Sequence, residues 1–245
     1  MSPQPNNGSV ALQDCPTINP TRYLEITTNI GCSNNCWYCP QDLLLSQYHS
    51  KSSMSLVYFD KYLAKIPKEV IIMFAGFSEP FLNHACYKMI CHASQQHEVM
   101  VYTTLKGFEY WMFEYIEHIK FKFFYYHQTQ KNKNILGMKL YNLSNFMEGG
   151  ISLHDRAGNI PNLPHRYIKG KILCQEGMEH GVLLPNGDVV LCCMNYGLQH
   201  KLGNLTKQSY QEIFNSKELI KIKEDQLKED SDILCRKCIY ARLIQ

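Results

Sequence analysis

The sequence predicts an α/β protein, a parallel sheet built from strand–helix repeats, followed by a small hairpin-and-helix module. Three observations predict it. Short runs dense in Val, Ile, Phe and Tyr alternate with stretches of helical apolar spacing over about residues 21–170, the pattern of right-handed βαβ units. One run, 69–76 (EVIIMFAG), is almost continuously apolar, as suits a strand buried on both faces of a parallel sheet. Beyond about residue 170 the alternation stops, and Asn186-Gly187 stands between two apolar runs, the strongest short signal for a β-hairpin.

Taken in order, residues 1–20 are a polar, Pro- and Asn-containing lead-in. Residues 22–29 (RYLEITTN) read as the first strand, running directly into Gly31 and Cys32. Leu56, Phe59, Leu63 and Ile66 give helical spacing over 55–66, and the apolar run 69–76 is the second strand. A helix near 82–95 leads to a strand at 99–104 (VMVYTT), a helix at 108–119 and a strand at 121–127. Two further short strands are expected at 139–143 and 150–154. The hairpin covers 181–193 (GVLLPNGDVVLCC), and one helix is expected over 209–227, with Ile213, Phe214, Leu219, Ile220 and Leu227 as its buried face. The division is thus a lead-in (1–20), a main domain (21–170) and a module (171–245) whose core is too thin to stand alone.

Composition narrows the function. Hydrophobic residues make up 45% and charged residues 19%, a globular balance without a disorder signature. A net charge of +3 is too small to argue for a nucleic-acid or anionic-membrane partner, and none is expected. No apolar run approaches the roughly 18 residues of a spanning helix, and the lead-in lacks the apolar stretch of a signal peptide. A cytoplasmic location is expected, and there the eleven cysteines are metal or redox groups rather than a disulfide framework.

Seven of them form two constellations. Cys32, Cys36 and Cys39, in GCSNNCWYCP, place three thiols in eight residues, so the chain must loop around one point to bring them together. Three ligands on a [4Fe–4S] cluster leave one iron open; a partial zinc site is the alternative on spacing. The C-x3-C-x2-C loop after the first strand, with Tyr38 before the last cysteine, resembles that of the radical S-adenosylmethionine (SAM) superfamily. The resemblance implies that the main domain is a partial (β/α) barrel. It also implies that SAM chelates the open iron and yields a 5′-deoxyadenosyl radical. Gly76, Phe77, Ser78, Glu79 and Pro80 look like the family's Gly-Gly-Glu-Pro segment that holds the SAM amino group, with Phe77 and Ser78 where glycines are common. Thr104 and His127, at strand ends, are further cofactor-binding candidates, because functional groups gather at the carboxyl ends of parallel strands.

The second constellation is Cys174, Cys192, Cys235 and Cys238, for which a structural zinc site remains an alternative on residue types alone. Cys-x12-Gly-x4-Cys, then Gly203-Asn204-Leu205, then residues 209–216, resembles the SPASM/twitch module of radical SAM enzymes. That implies one auxiliary [4Fe–4S] cluster with four cysteine ligands, two clusters in all, together with a reducing partner such as flavodoxin or ferredoxin. On a strand Cys193 would point away from Cys192, leaving it a buried apolar side chain or a substrate-facing hydrogen-atom donor. Cys15, Cys86 and Cys91 are read as structural.

Arg156, in HDRAGNIPN, leads the polar candidates for substrate, with His154 weaker. The order and spacing of the seven cysteines and this arginine are similar to compact aminocyclitol dehydrogenases of the family. Their likeness implies oxidation of a secondary alcohol on a sugar, cyclitol or nucleotide-sugar, with the auxiliary cluster accepting an electron and Arg156 orienting the hydroxyl or assisting its deprotonation. Cys193, Met194 and Asn195 follow Cys192 without a carboxylate to grip an amine. Epimerisation through Cys193 and peptide modification are the rival enzyme classes. The lead-in is too short for the leader-binding domain of many peptide maturases. A zinc-binding adaptor is the non-enzymatic rival.

Overall fold

A computed structural model of the chain describes residues 22–127, 140–150 and 153–244. The strands and helices in chain order are β1 (Tyr23–Ile26), α1 (Gln41–Gln47), α2 (Leu56–Leu63), β2 (Ile71–Phe74), α3 (Cys86–Ser94), β3 (Val99–Thr103), α4 (Phe113–Ile116), β4 (Phe123–His127) and β5 (Phe146–Gly149). The rest are β6 (Ile172–Leu173), α5 (Gln175–Met178), β7 (His180–Leu183), β8 (Asp188–Val190), β9 (Lys201–Asn204), α6 (Tyr210–Phe214), α7 (Lys217–Gln226) and β10 (Arg242–Leu243). Eight strands form one sheet in the order β5-β4-β3-β2-β1-β7-β8-β9, and β6 pairs with β10 apart from it. From β5 to β7 every pairing is parallel; β8 and β9 run antiparallel. The α/β class and parallel sheet expected from the sequence are therefore present.

Strand alternation separates the two faces. Leu24, Ile26, Ile72, Phe74, Val99, Val101 and Phe124 pack into the main core with Phe59, Leu63, Met89 and Ile90 from α2 and α3. The intervening Glu25, Met73, Met100 and Tyr102 face a cavity on the other side. Helix starts follow cap chemistry: the Ser55 hydroxyl accepts from Tyr58 N, and Ser209 and Glu212 form a reciprocal capping box.

Several local expectations are corrected. The helix expected over 209–227 is two, because the Ser216 side chain accepts from Leu219 N and restarts the chain as α7 after Asn215. Residues 108–119 form a 3₁₀ turn (Tyr110–Met112) and only a short α4, and 80–82 is another 3₁₀ turn before α3. Within 139–143, Leu140–Asn142 is a 3₁₀ turn rather than a strand. The strand expected at 150–154 lies earlier, as β5; of that range, residues 151 and 152 lie outside the described residues. Cys15 also lies outside them.

The hairpin does not stand apart from the main sheet. β7 lies parallel beside β1, with Tyr23, Leu24, Glu25 and Ile26 opposite His180, Gly181, Val182 and Leu183. Close packing there requires Gly181, since a Cβ would meet the Phe214 ring and Leu24. Gly187 closes the hairpin at φ +88°, where the Asn186 side chain accepts from Asp188 N.

Candidate functional site

The carboxyl ends of β1 to β4 and the turn after β8 surround one cavity of about 980 Å³. Cys32, Cys36 and Cys39 enter it from the loop after β1. That loop is shaped by left-handed Gly31 (φ +88°) and Asn35 (φ +50°). It is tied to the β3 end by Asn34, whose Nδ2 donates to Thr104 Oγ1 at 2.9 Å. All three thiols are half-buried and none is in a disulfide.

Gly76, Phe77, Ser78 and Glu79 follow β2 and line the same cavity. Gly76 has φ +77°, and a Cβ there would collide with the Thr27 hydroxyl, which itself accepts from Phe77 N at 3.2 Å. Glu79 is buried, and its carboxylate accepts from Phe81 N (3.3 Å), Thr103 Oγ1 (2.5 Å), Thr104 N (2.7 Å) and Thr104 Oγ1 (2.8 Å). Burial raises its pKa although each of these bonds lowers it. Glu79 thereby clamps the β2 loop to the end of β3.

Tyr38, Thr104, His127, Arg156 and Cys193 also line the cavity; His154 does not, and instead its ring packs edge-on to Tyr240 at 6.1 Å. Arg156 sits at φ +50° in a run of left-handed residues with Ala157 and Gly158. Asn159 donates to Arg156 O (2.7 Å) and Met194 O (2.8 Å), joining this loop to the turn after β8. The guanidinium is held above its ordinary pKa: burial lowers it, but Tyr196, Cys193, Cys39 and Glu25 outweigh that.

Burial, then Arg156, pushes His127 down to about 4. The imidazole is neutral at pH 7, and folding resists its protonation. Its contribution to stability is therefore complete above pH 6.5 and lost as pH falls from 6.5 towards 4, about 3 kcal/mol over that window. His127→Gln should flatten that part of the pH–stability curve in denaturant unfolding; an unchanged slope would remove His127 as its source.

The second cysteine set gathers at the far wall. Cys174, Cys192, Cys235 and Cys238 are all buried, and Cys192 lies within electrostatic range of Cys235 and Cys238. Gly177 N donates to Cys174 Sγ (3.3 Å) and Gln226 Nε2 to Cys235 Sγ (3.4 Å). Burial first raises Cys192 and Cys238, and takes Cys235 to about 11. Buried thiols without disulfides on one wall suit a metal centre as donors, and the half-buried triplet opening onto the cavity fits a centre with one exposed position. Cys174, Cys192 and Cys238 touch the cavity; Cys235 does not line it.

Residues 174–239 match the family model of the SPASM iron–sulfur cluster-binding domain. The fold is similar to the crystal structure of BtrN in complex with AdoMet and 2-DOIA, at TM-score 0.69 and 14% identity, over 86% of this chain and 89% of that one. The chain has the radical SAM fold with a SPASM module. This radical SAM fold is also similar to anSMEcpe with bound AdoMet (TM-score 0.53, 13% identity, 91% and 84% covered). Streptococcus suis SuiB bound to precursor peptide SuiA is another likeness (TM-score 0.51, 10% identity, 83% and 67% covered). No curated protein matches the chain by sequence. Among the described residues no helix is long and apolar enough to cross a membrane.

Sequence reasoning missed the cavity floor. Glu25 from β1 pairs with His180 Nε2 of β7 at 2.5 Å, and ligand atoms of Glu25, His180 and Cys193 lie within 4.8 Å of one another. Burial raises Glu25, but His180, the Gly76 amide and the Cys193 thiol bring it below its ordinary range. Tyr196, also missed, is buried against Phe77 with ring centroids 4.7 Å apart, and burial pushes its phenol well up. Cys193 sits beside Glu25 and lines the cavity together with Cys192: β8 has ended at Val190, and both follow it in a turn (Asn195 N to Cys192 O, 3.0 Å), so strand alternation does not govern them.

Proposed function

We propose that the chain is a radical SAM oxidoreductase that removes a hydrogen atom from a small-molecule substrate and oxidises a secondary alcohol of a sugar, cyclitol or nucleotide-sugar, with an auxiliary cluster as electron acceptor. One observation carries this reading: the Cys32–Cys36–Cys39 loop, the Gly76–Glu79 segment, Arg156 and the wall bearing Cys174, Cys192 and Cys238 all line one cavity. The SAM-bound BtrN likeness supports the same reading.

Cys32, Cys36 and Cys39 would hold one [4Fe–4S] cluster and Cys174, Cys192, Cys235 and Cys238 the other. Tyr38, Gly76, Phe77, Ser78, Thr104 and His127 would surround SAM, with Glu79 keeping their loops in place. When bound, SAM and the first cluster supply a 5′-deoxyadenosyl radical that abstracts hydrogen from the substrate carbon. A flavodoxin or ferredoxin in the cytoplasm would provide the electron.

To leave a ketone, the carbinol must also release its hydroxyl proton and one electron. Arg156 orients the hydroxyl; a guanidinium stays protonated at any working pH and does not serve as the base. Glu25, ionised and backed by His180, is the acceptor for that proton. Tyr102, Tyr125 and Tyr240 add phenol groups around a polyol.

The test is anaerobic reconstitution with SAM, reductant and carbinol-deuterated scyllo-inositol or UDP-glucose. Deuterated 5′-deoxyadenosine with ketone is the expected result, and absence of SAM cleavage sinks the reading. Glu25→Gln should retain deuterium transfer while ketone formation falls about 100- to 10,000-fold. Equal loss of both would place Glu25 in substrate binding instead.

Epimerisation is the second reading, favoured by the Cys193 thiol at the cavity wall. Solvent deuterium appearing at the substrate carbon without net oxidation distinguishes it.

A further inference from the structure

Cys39 receives two side-chain contacts at its sulfur. Gln41 Nε2 donates to Cys39 Sγ at 3.3 Å, and the Tyr196 hydroxyl lies 3.5 Å from the same atom. They come from opposite ends of the fold. Gln41 opens α1, directly after the cysteine loop, and is anchored by donating to Phe77 O at 2.5 Å. Tyr196 belongs to the turn after β8, inside the SPASM match. Its ring is fixed against Phe77, the residue preceding Ser78 and Glu79, and only 3% of it is exposed. Water does not compete for a hydroxyl so buried, and the phenol O–H is a donor whenever Cys39 is a thiolate.

We propose that Tyr196, assisted by Gln41, sets the reduction potential of the cluster bound through Cys39, so that the auxiliary module governs how readily the SAM site takes up an electron. The inference rests on Cys32, Cys36 and Cys39 being cluster ligands. An added electron increases negative charge on the cysteine sulfurs, and an O–H or N–H aimed at one of them stabilises that state. A donor therefore moves the potential up, and its removal moves it down. Tyr196 is a positioning residue in this account: it touches a ligand and not the reacting atoms.

Tyr196→Phe removes the hydroxyl and keeps the ring on Phe77. The reconstituted wild type and variant would be compared by redox titration followed by electron paramagnetic resonance. The signal that changes on adding SAM reports the Cys32–Cys36–Cys39 cluster, and the other signal is an internal reference. The expected result is a more negative midpoint for the SAM-responsive signal only, and a lower fraction reduced at a fixed applied potential. Should Tyr196→Phe lose iron, Gln41→Met removes the other donor at similar volume, and the same direction of shift is required of it. An unchanged or more positive midpoint, or equal shifts of both signals, overturns the inference. A wild type holding two clusters' worth of iron, about eight per chain, but giving no SAM-responsive signal overturns the cluster assignment itself, and the inference with it.

Discussion

Replacing Cys32, Cys36 and Cys39 together by alanine is expected to lower reconstituted iron from about eight to about four per chain and to abolish SAM cleavage. The fold should survive. All three cysteines are only half-buried, so their removal opens no sealed cavity of the kind that makes core truncations severe. The loop is shaped by other residues: Asn29 Nδ2 donates to Ile30 O (3.2 Å) and Gly31 O (3.0 Å), Asn34 holds Thr104, and Lys106 Nζ donates to Ser33 O. Iron and sulfide counts, a thermal melt and 5′-deoxyadenosine assay on the same samples separate the outcomes. Iron staying at about eight would place the first cluster elsewhere. Loss of all iron would make the two cysteine sets one cooperative site.

Arg236→Ala should give the largest loss of stability. Arg236 lies between Cys235 and Cys238 and has no exposed surface. Its guanidinium donates to Ser231 Oγ (2.8 Å), Ile168 O (2.9 Å), Gly170 O (2.8 Å), Asp225 O (3.1 Å) and Lys228 O (2.6 Å). The nearest carboxylate, Asp230, is 3.9 Å from Nε, so carbonyl dipoles are the chief partners of the charge. One of those carbonyls, Asp225 O, lies in the last turn of α7, where helix geometry leaves it without an intrahelical partner, and Lys228 O lies just beyond the Leu227 cap. Truncation would strand several buried acceptors at about 1–3 kcal/mol each and leave a void as well. A loss of ~4 kcal/mol or more is a large share of a typical 5–15 kcal/mol. A melting point about 10 °C lower is expected, with auxiliary iron lost before SAM-site iron. Unchanged melting and iron would show that the loop finds its own partners. Arg236→Lys should recover only part of the effect, because an ammonium cannot span five acceptors in fork geometry.

Much of this was legible in the residues. The apolar runs announced β2 and β3, Asn186-Gly187 announced the hairpin, and the cysteine spacing pointed to the loop that reaches the cavity. Local signals failed where cooperation is non-local. Seven-residue α1 and the glycine-containing β9 carry too little periodicity to stand out, and their neighbours decide them. Glu25 did leave a trace: Tyr23, Glu25 and Thr27 alternate with Leu24 and Ile26, a polar-in pattern at odds with a strand dry on both faces. Nothing local linked it to His180 or Cys193, which meet it only because β7 docks beside β1. Tyr196 carried no signal, since one tyrosine among sixteen is unremarkable until its hydroxyl is placed against Cys39.

The place of β1 between β2 and β7 also has a consequence for biosynthesis. Among the described strands β1 is the first to be made on the ribosome, yet its neighbour on one side emerges only after β2 to β6 have been translated. Until then the backbone of Leu24 and Ile26 is an open apolar edge, and closing it requires one of the longest loops in the chain. Folding should therefore be slow and late, governed by completion of the carboxyl-terminal segment rather than by sequential growth of a self-sufficient amino-terminal half. A nascent chain stalled near residue 170 should remain protease-sensitive and chaperone-bound, and co-expressed halves should assemble better than either half alone.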